Sequence, residues 1–142
     1  MNKIFKHKDF PLNIYVEDTD FQGFVYHANY IKFFERARSN FLLNHNIHQE
    51  ILREKGFGFV IKRIEIDYLF PAKLNDELIV QTSVEKKSNA RLIFNQKIII
   101  NKDSKLLCKV VVEVCFINIE TKKPQAFSDD LLLIFNRGKE NE

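Results

Sequence analysis

Every even position from Leu106 to Phe116 is apolar: Leu106, Cys108, Val110, Val112, Val114 and Phe116. A strand sends alternate side chains to opposite faces, so this run reads as a long strand in 106–119 with one face given to a core. The same period of two runs through the preceding residues. Leu78, Val80, Thr82 and Val84 share a face in 77–87. Leu92, Phe94, Ile98 and Ile100 share one in 91–101, interrupted by Gln96. In 59–70, Ile64, Ile66, Tyr68 and Phe70 alternate with Arg63, Glu65 and Asp67. Pro71, Asn75-Asp76, Ser88-Asn89 and residues 101–105 supply the turns.

The period changes upstream. From about Ala28, the residues Tyr30, Phe33, Phe34, Ala37 and Phe41 recur at three and four, the apolar face of a helix that Asn44 ends. A second short helix is expected from about Ile47 to Lys55, stopped by Gly56. In 12–17, Leu12, Ile14 and Val16 alternate with Asn13, Tyr15 and Glu17, which predicts a half-buried strand, and 18–27 reads as a loop. After Ser128 a capped helical turn is expected, with Ser128 as N-cap and Asp129 and Asp130 near the positive end of its dipole. The apolar run 131–135 also suits a strand. Strand, long helix and then a meander of four long antiparallel strands make an α+β protein, a sheet curled around the helix.

The 142 residues fit one domain, 1–142, and a hydrophobic fraction of 45% argues against global disorder. Fourteen phenylalanines in so short a chain suggest a thick core or a subunit interface. A net charge of +3 without blocks of like charge gives no argument for nucleic acid. The start lacks the apolar core of a signal peptide and no run reaches membrane-spanning length, so a cytoplasmic protein is expected. Cys108 and Cys115 stand at an odd spacing on one strand and face opposite ways, which makes them packing residues rather than a pair.

Chemistry concentrates between Tyr15 and Arg38. Glu17, Asp18 and Asp20 stand within four positions; Gly23 follows, then Tyr26-His27 at the helix entrance. An ionised Asp20 can serve as general base toward water or attack a carbonyl itself. The alternative is that Asp18 and Asp20 only bond loop backbone in Asx-turns. The helix entrance offers N–H groups without helical partners, at Tyr26, His27 or Ala28, where a carbonyl oxygen gains as it becomes an oxyanion. Gly23 suits a positive φ or close ligand approach. The His27 side chain can exchange protons, orient a ligand, or simply be fixed by local hydrogen bonds.

Other sites are weaker. His45 and His48 lack further ligands at useful spacing, so no metal is expected. Asp18, Asp20, Gln22 and Gly23 imitate the start of a calcium loop, but Asn29 stands where the bidentate Glu belongs. Lys86, Lys87 and Arg91 flank a hairpin turn, either to receive phosphates or as a charged edge. No G-x-S-x-G elbow, P-loop or G-x-G-x-x-G occurs.

These residues carry a resemblance. Asp18-Thr19-Asp20, Gly23, Val25-Tyr26-His27, Asn29-Tyr30 and Phe34-Glu35-Arg36-Ala37-Arg38 resemble the signature of the YbgC and 4-hydroxybenzoyl-CoA thioesterase branch of the hotdog-fold superfamily. Ile66-Asp67-Tyr68-Leu69 and Pro71-Ala72-Lys73-Leu74-Asn75-Asp76 resemble its following strand and turn. The resemblance implies a hotdog fold, and a homodimer or homotetramer with its active site between subunits. It implies a catalytic carboxylate at Asp20 and an oxyanion-binding N–H at His27, whose side chain favours the YbgC branch. Tyr15, Gly23 and Tyr26 are pocket candidates beside them.

The implied activity is hydrolysis of an acyl-CoA thioester, short-chain acyl groups being favoured and acyl carrier protein thioesters possible. No cofactor is expected, since CoA belongs to the substrate. Two rivals remain: a hotdog-type acyl hydratase or dehydratase, which would need a second proton-transfer motif, and a non-catalytic acyl-CoA-binding module, which would bind without turnover.

Overall fold

The computed structural model describes residues 4–129, 131 and 132. Its elements are β1 (Ile4–Lys6), β2 (Phe10–Asn13), α1 (Asn29–Asn44), α2 (Gln49–Glu54), β3 (Phe57–Tyr68), β4 (Glu77–Lys86), β5 (Arg91–Ile100) and β6 (Leu106–Asn118). All strand pairs are antiparallel, in the order β1–β4–β5–β6–β3, with β2 also on β4. β1 and β2 share one edge of β4, Phe5 opposite Val84 and Leu12 opposite Leu78, and the His7 N–H donates to the Thr82 carbonyl between them.

Helix α1 lies on the inner face of this sheet. Tyr30, Phe33, Phe34, Ala37, Phe41 and Leu42 are buried with Leu78, Val80 and Val84 of β4, Leu92, Phe94 and Ile98 of β5, and Val110, Val112 and Val114 of β6. The period-two and period-three-to-four faces are thus the two halves of one core. Each fully buried Phe contributes roughly 1.5–3 kcal/mol. Gln96, the interruption in the β5 pattern, is buried for a polar reason. Its Nε2 donates to the Phe34 carbonyl at 3.0 Å and to Thr82 Oγ1 at 3.1 Å, and its Oε1 accepts from Arg38 at 3.1 Å. It joins helix to sheet.

Helix α1 ends as Asn44 suggests, although Asn46 provides the left-handed residue, at φ 60°. The Ile47 N–H donates to the Leu42 carbonyl and the Asn46 N–H to that of Leu43, a Schellman closure with Leu42 and Ile47 both buried. Gly56, at φ 90°, follows α2. Cys108 belongs to the core, and Cys115 is buried outside that cluster; both thiols are free. Burial pushes the Cys108 thiol up to about 12.

The structure corrects three expectations. The strand in 12–17 is instead β2, ending at Asn13, and Val16–Asp18 form a 3₁₀ turn with Tyr15 and Val16 exposed. β4 starts at Glu77, opposite Asn13, so the ladder runs out there. The Asp18 carboxylate then accepts the Tyr15 N–H at 2.9 Å and turns the backbone away. The four long strands are not a simple meander: β3 lies on β6, not on β4. A period of two assigns a face and says nothing about the neighbour. β1, finally, is a strand that the alternation does not announce. At the C-terminal end, Asp129, Leu131 and Leu132 are helical, and the Leu132 N–H donates to the Ser128 carbonyl at 3.1 Å, in keeping with a helix opening at Ser128. Asp130 and residues 133–135 lie outside the described residues.

Candidate active site

Because β3 and β4 are not neighbours, the segment 69–76 must cross between the sheet's edges, and it passes the entrance of α1. The Val25 N–H donates to the Ala72 carbonyl at 2.8 Å, Phe24 bridges Lys73, and the Ala72 N–H donates to the Tyr30 hydroxyl at 2.9 Å. Burial raises the Tyr30 hydroxyl above the ordinary tyrosine range, so it stays protonated. Leu69 and Phe70 both donate their N–H groups to the Leu107 carbonyl. The loop before α1 is held against a crossover anchored at both ends.

Within that loop, Thr19 bridges Val25 and closes a small hairpin around Asp20. The Gly23 N–H donates to the Asp20 carbonyl at 3.0 Å, and Gly23 takes φ 82°, the left-handed conformation expected of it. Asp20 Oδ1 accepts the N–H groups of Gln22 at 2.9 Å and Phe24 at 3.3 Å. Asp20 therefore does make an Asx-turn through Oδ1, and the Gln22 side-chain amide, turned to donate, reaches Oδ1 at 3.1 Å and Oδ2 at 3.2 Å. Asp18 braces the turn twice: its carboxylate holds Tyr15, and its carbonyl accepts the Tyr26 N–H and the Asn29 side chain, each at 2.9 Å.

Those bonds engage one of the three N–H groups at the helix entrance. That of Tyr26 is taken by Asp18, and Asn29 donates to the Tyr26 carbonyl. No hydrogen bond among the described residues engages the N–H of His27 or that of Ala28. The His27 carbonyl accepts the Tyr68 hydroxyl at 3.1 Å, and the His27 ring leans on Tyr26 at 4.5 Å between centroids. Asp20 and His27 line one open cleft of about 290 Å³, with Phe24, Tyr30, Tyr68 and Phe70 among its walls. The wall is largely aromatic, and Lys105 Nζ sits 3.8 Å from the Phe70 ring centroid.

The structure thus brings Asp20 and His27 together. Tyr15, Gly23 and Tyr26 do not line this cleft: Tyr15 is exposed on the 3₁₀ turn, Gly23 shapes the hairpin, and Tyr26 packs behind His27. Lys87 and Arg91 both pair with Glu113, at 2.5 and 3.3 Å, and hold its carboxyl below the usual carboxylate range, the Lys87 bond chiefly. With Lys86 they sit at the far end of β4 from the crossover, about 30 Å along the strand. His45 packs edge-on against Phe5 and tilted on Phe41. Tyr68 and Tyr30 enter the sequence reading only through their faces and as members of the resembling motifs, with no site role; the available signal was a hydroxyl placed where phenylalanine is otherwise abundant.

Residues 14–135 match the model of the thioesterase-like superfamily. The chain belongs to that superfamily. It is 40% identical to the acyl-CoA thioesterase YbgC of Haemophilus influenzae over 131 residues, covering 92% of this chain and 95% of that protein. It is 35% identical to the acyl-CoA thioester hydrolase YbgC of Escherichia coli O6:H1, covering 89% and 94%. A probable thioesterase from Bartonella henselae superposes with a TM-score of 0.78 at 35% identity, covering 87% of this chain and 99% of that one. The 1,4-dihydroxy-2-naphthoyl-CoA thioesterase Slr0204 from Synechocystis, at 19% identity, shares the fold with a TM-score of 0.87 over 94% and 96%. The expected hotdog fold and family resemblance are both met. No helix among the described residues is long and apolar enough to cross a membrane.

Proposed function

We propose that this chain, as one thioesterase domain, hydrolyses acyl-CoA thioesters to a free carboxylic acid and CoA. The observation that carries the reading is the shared cleft: the Asp20 carboxylate lines it together with His27, whose helix-entrance N–H has no partner among the described residues. YbgC relatives at 35–40% identity over most of the chain support the reaction class.

In this mechanism the thioester carbonyl oxygen points at the His27 N–H. Negative charge developing there meets the donor and the positive end of α1. The Asp20 carboxylate either takes a proton from the attacking water or bonds to the carbonyl carbon, forming an anhydride that water then opens. In both routes the C–S bond breaks, the thiolate of CoA leaves and takes up a proton, and the acyl group departs as a carboxylate. The two backbone N–H groups on Oδ1 hold the Asp20 carboxylate in place. Thioesters suit so spare a site because their carbonyl is weakly resonance-stabilised and their leaving group is good. The His27 side chain orients the substrate or exchanges protons.

The same reading makes the protein a cytoplasmic homodimer or homotetramer with its site between subunits, accepting short-chain acyl groups on CoA or on acyl carrier protein. A panel of acyl-CoA esters, assayed for free thiol, tests it. Thiol release supports the reading. Hydration of an enoyl-CoA without thiol release, or tight binding of acyl-CoA without turnover, rejects it.

A further inference from the structure

Tyr30 is the second residue of α1, only 3% exposed, and carries the one hydroxyl among the buried side chains of that helix. Its oxygen accepts the Ala72 N–H at 2.9 Å. Its own proton has no acceptor among the described residues. A buried hydroxyl that only accepts holds an unused donor. Three observations place that donor. Helical side chains lean toward the N-terminus, so the ring is carried back to the helix entrance. Ala72, which holds the oxygen, also takes the Val25 N–H on its carbonyl, at the end of the hairpin that presents Asp20. Tyr30 lines the cleft that Asp20 and His27 share. Burial keeps the phenol protonated, so the donor persists at neutral pH.

A thioester in this cleft offers few acceptors. Its sulfur is a weak one. The attacking water gives a proton to Asp20 and must keep a lone pair for the carbonyl carbon, so a donor aimed at that water would slow the attack. The carbonyl oxygen is left, and it accepts more strongly as negative charge develops on it. We propose that the Tyr30 O–H is a second donor to this oxygen, beside the His27 N–H, which makes Tyr30 a catalytic residue. One donor comes from the backbone at the helix entrance and the other from a side chain in the first turn. Two donors from different directions fix the orientation of the carbonyl as well as its charge. The crossover sets the geometry, because Ala72 holds the phenol oxygen and leaves its proton to turn toward the cleft. The inference rests on the thioesterase reading above and adds a residue to its oxyanion site.

Graded phenols at this position test it. Tyr30→Phe removes donor and acceptor together. A ring-fluorinated tyrosine in place of Tyr30 is a stronger donor and a weaker acceptor. Each protein is saturated with a ketone analogue of an acyl-CoA, methylene replacing the sulfur and the carbonyl isotope-labelled. Difference infrared spectroscopy near pH 7 then reads the bound carbonyl stretch. The stretch is expected at higher wavenumber in Tyr30→Phe than in the natural protein, and at lower wavenumber with the fluorinated ring. On the matching acyl-CoA, Tyr30→Phe should lower kcat about 100-fold and change KM far less. A residue that only accepts from Ala72 moves the stretch the same way in both proteins or leaves it unmoved, and either result overturns the proposal. Should Tyr30→Phe fail to fold, the fluorinated protein alone decides: a lower stretch supports the donor, and a higher or unmoved one overturns it. A natural protein that releases no thiol from any acyl-CoA overturns the thioesterase reading and this donor together. Natural turnover with an unmoved stretch overturns the donor alone.

Discussion

The hydroxyl of Tyr68, at the end of β3, donates to the carbonyl of His27 at the entrance of α1, across 3.1 Å. That bond fixes the peptide group following His27 and ties the helix entrance to the sheet. Tyr68 also stands edge-on to Tyr30, whose hydroxyl holds the crossover through Ala72. In the proposed mechanism Tyr68 is a positioning residue. Tyr68→Phe removes one exposed hydrogen bond, worth about 0.5–1.5 kcal/mol. Steady-state kinetics on an acyl-CoA should show kcat reduced about 2–10-fold with KM nearly unchanged, since the donor geometry matters most as charge develops.

Gln96 should be intolerant of apolar replacement despite its apolar surroundings. Gln96→Leu strands Thr82 Oγ1 and Arg38 Nη1 in the core, while the Phe34 carbonyl, inside α1, keeps its helical bond. Each unsatisfied buried group costs about 1–3 kcal/mol. Denaturant titration should show a loss of roughly 2–5 kcal/mol. Thr82→Val, which removes only one acceptor, should cost less.

His7 gives stability a pH dependence. Burial lowers its pKa below the ordinary histidine value, outweighing the hydrogen bond with Asn40 at 3.2 Å. The unfolded chain then binds the proton more readily than the folded one. Stability contributed by neutral His7 is complete above about pH 6.5, falls as pH drops through that value, and levels off below the folded pKa. Unfolding titrations between pH 7.5 and 5 should show the decline, and His7→Asn should flatten it.

The two cysteines should resist modification until the protein unfolds. Both are buried, and the Cys108 thiol, pushed up to about 12, carries little thiolate at pH 8. Maleimide or iodoacetamide at pH 8 should label neither in the native protein and both in guanidinium, with mass spectrometry as the readout.

Much of this was legible in the sequence, and what was not shares a physical cause. Faces are local: a period of two placed Leu78, Val80, Thr82 and Val84 inward, and helical spacing did the same for Phe33, Phe34 and Phe41. Neighbours are not local, so nothing in 59–70 told that β3 lies on β6, and the crossover that builds the site stayed hidden. The strand in 12–17 failed at Val16 because a side chain, Asp18, outbid the sheet for the Tyr15 N–H. Asp20 and His27 were readable because a turn acid, a glycine and a helix start follow one another in the chain. Tyr68 reaches the same site from forty-one residues away, and only folding brings it there. Arg38 was half visible: it stands four residues after Phe34 and three before Phe41, inside the apolar stripe.

Asp20→Asn probes the proposed chemistry most directly, because an Asn oxygen can still accept the Gln22 and Phe24 N–H groups and keep the turn, while the carboxylate is gone. The measurement is thiol release from a saturating acyl-CoA that the natural protein hydrolyses, with circular dichroism confirming the fold. The expected result is a kcat reduced about 100-fold or more. Turnover within about twofold of the natural protein would contradict a role for Asp20 at the reacting carbonyl.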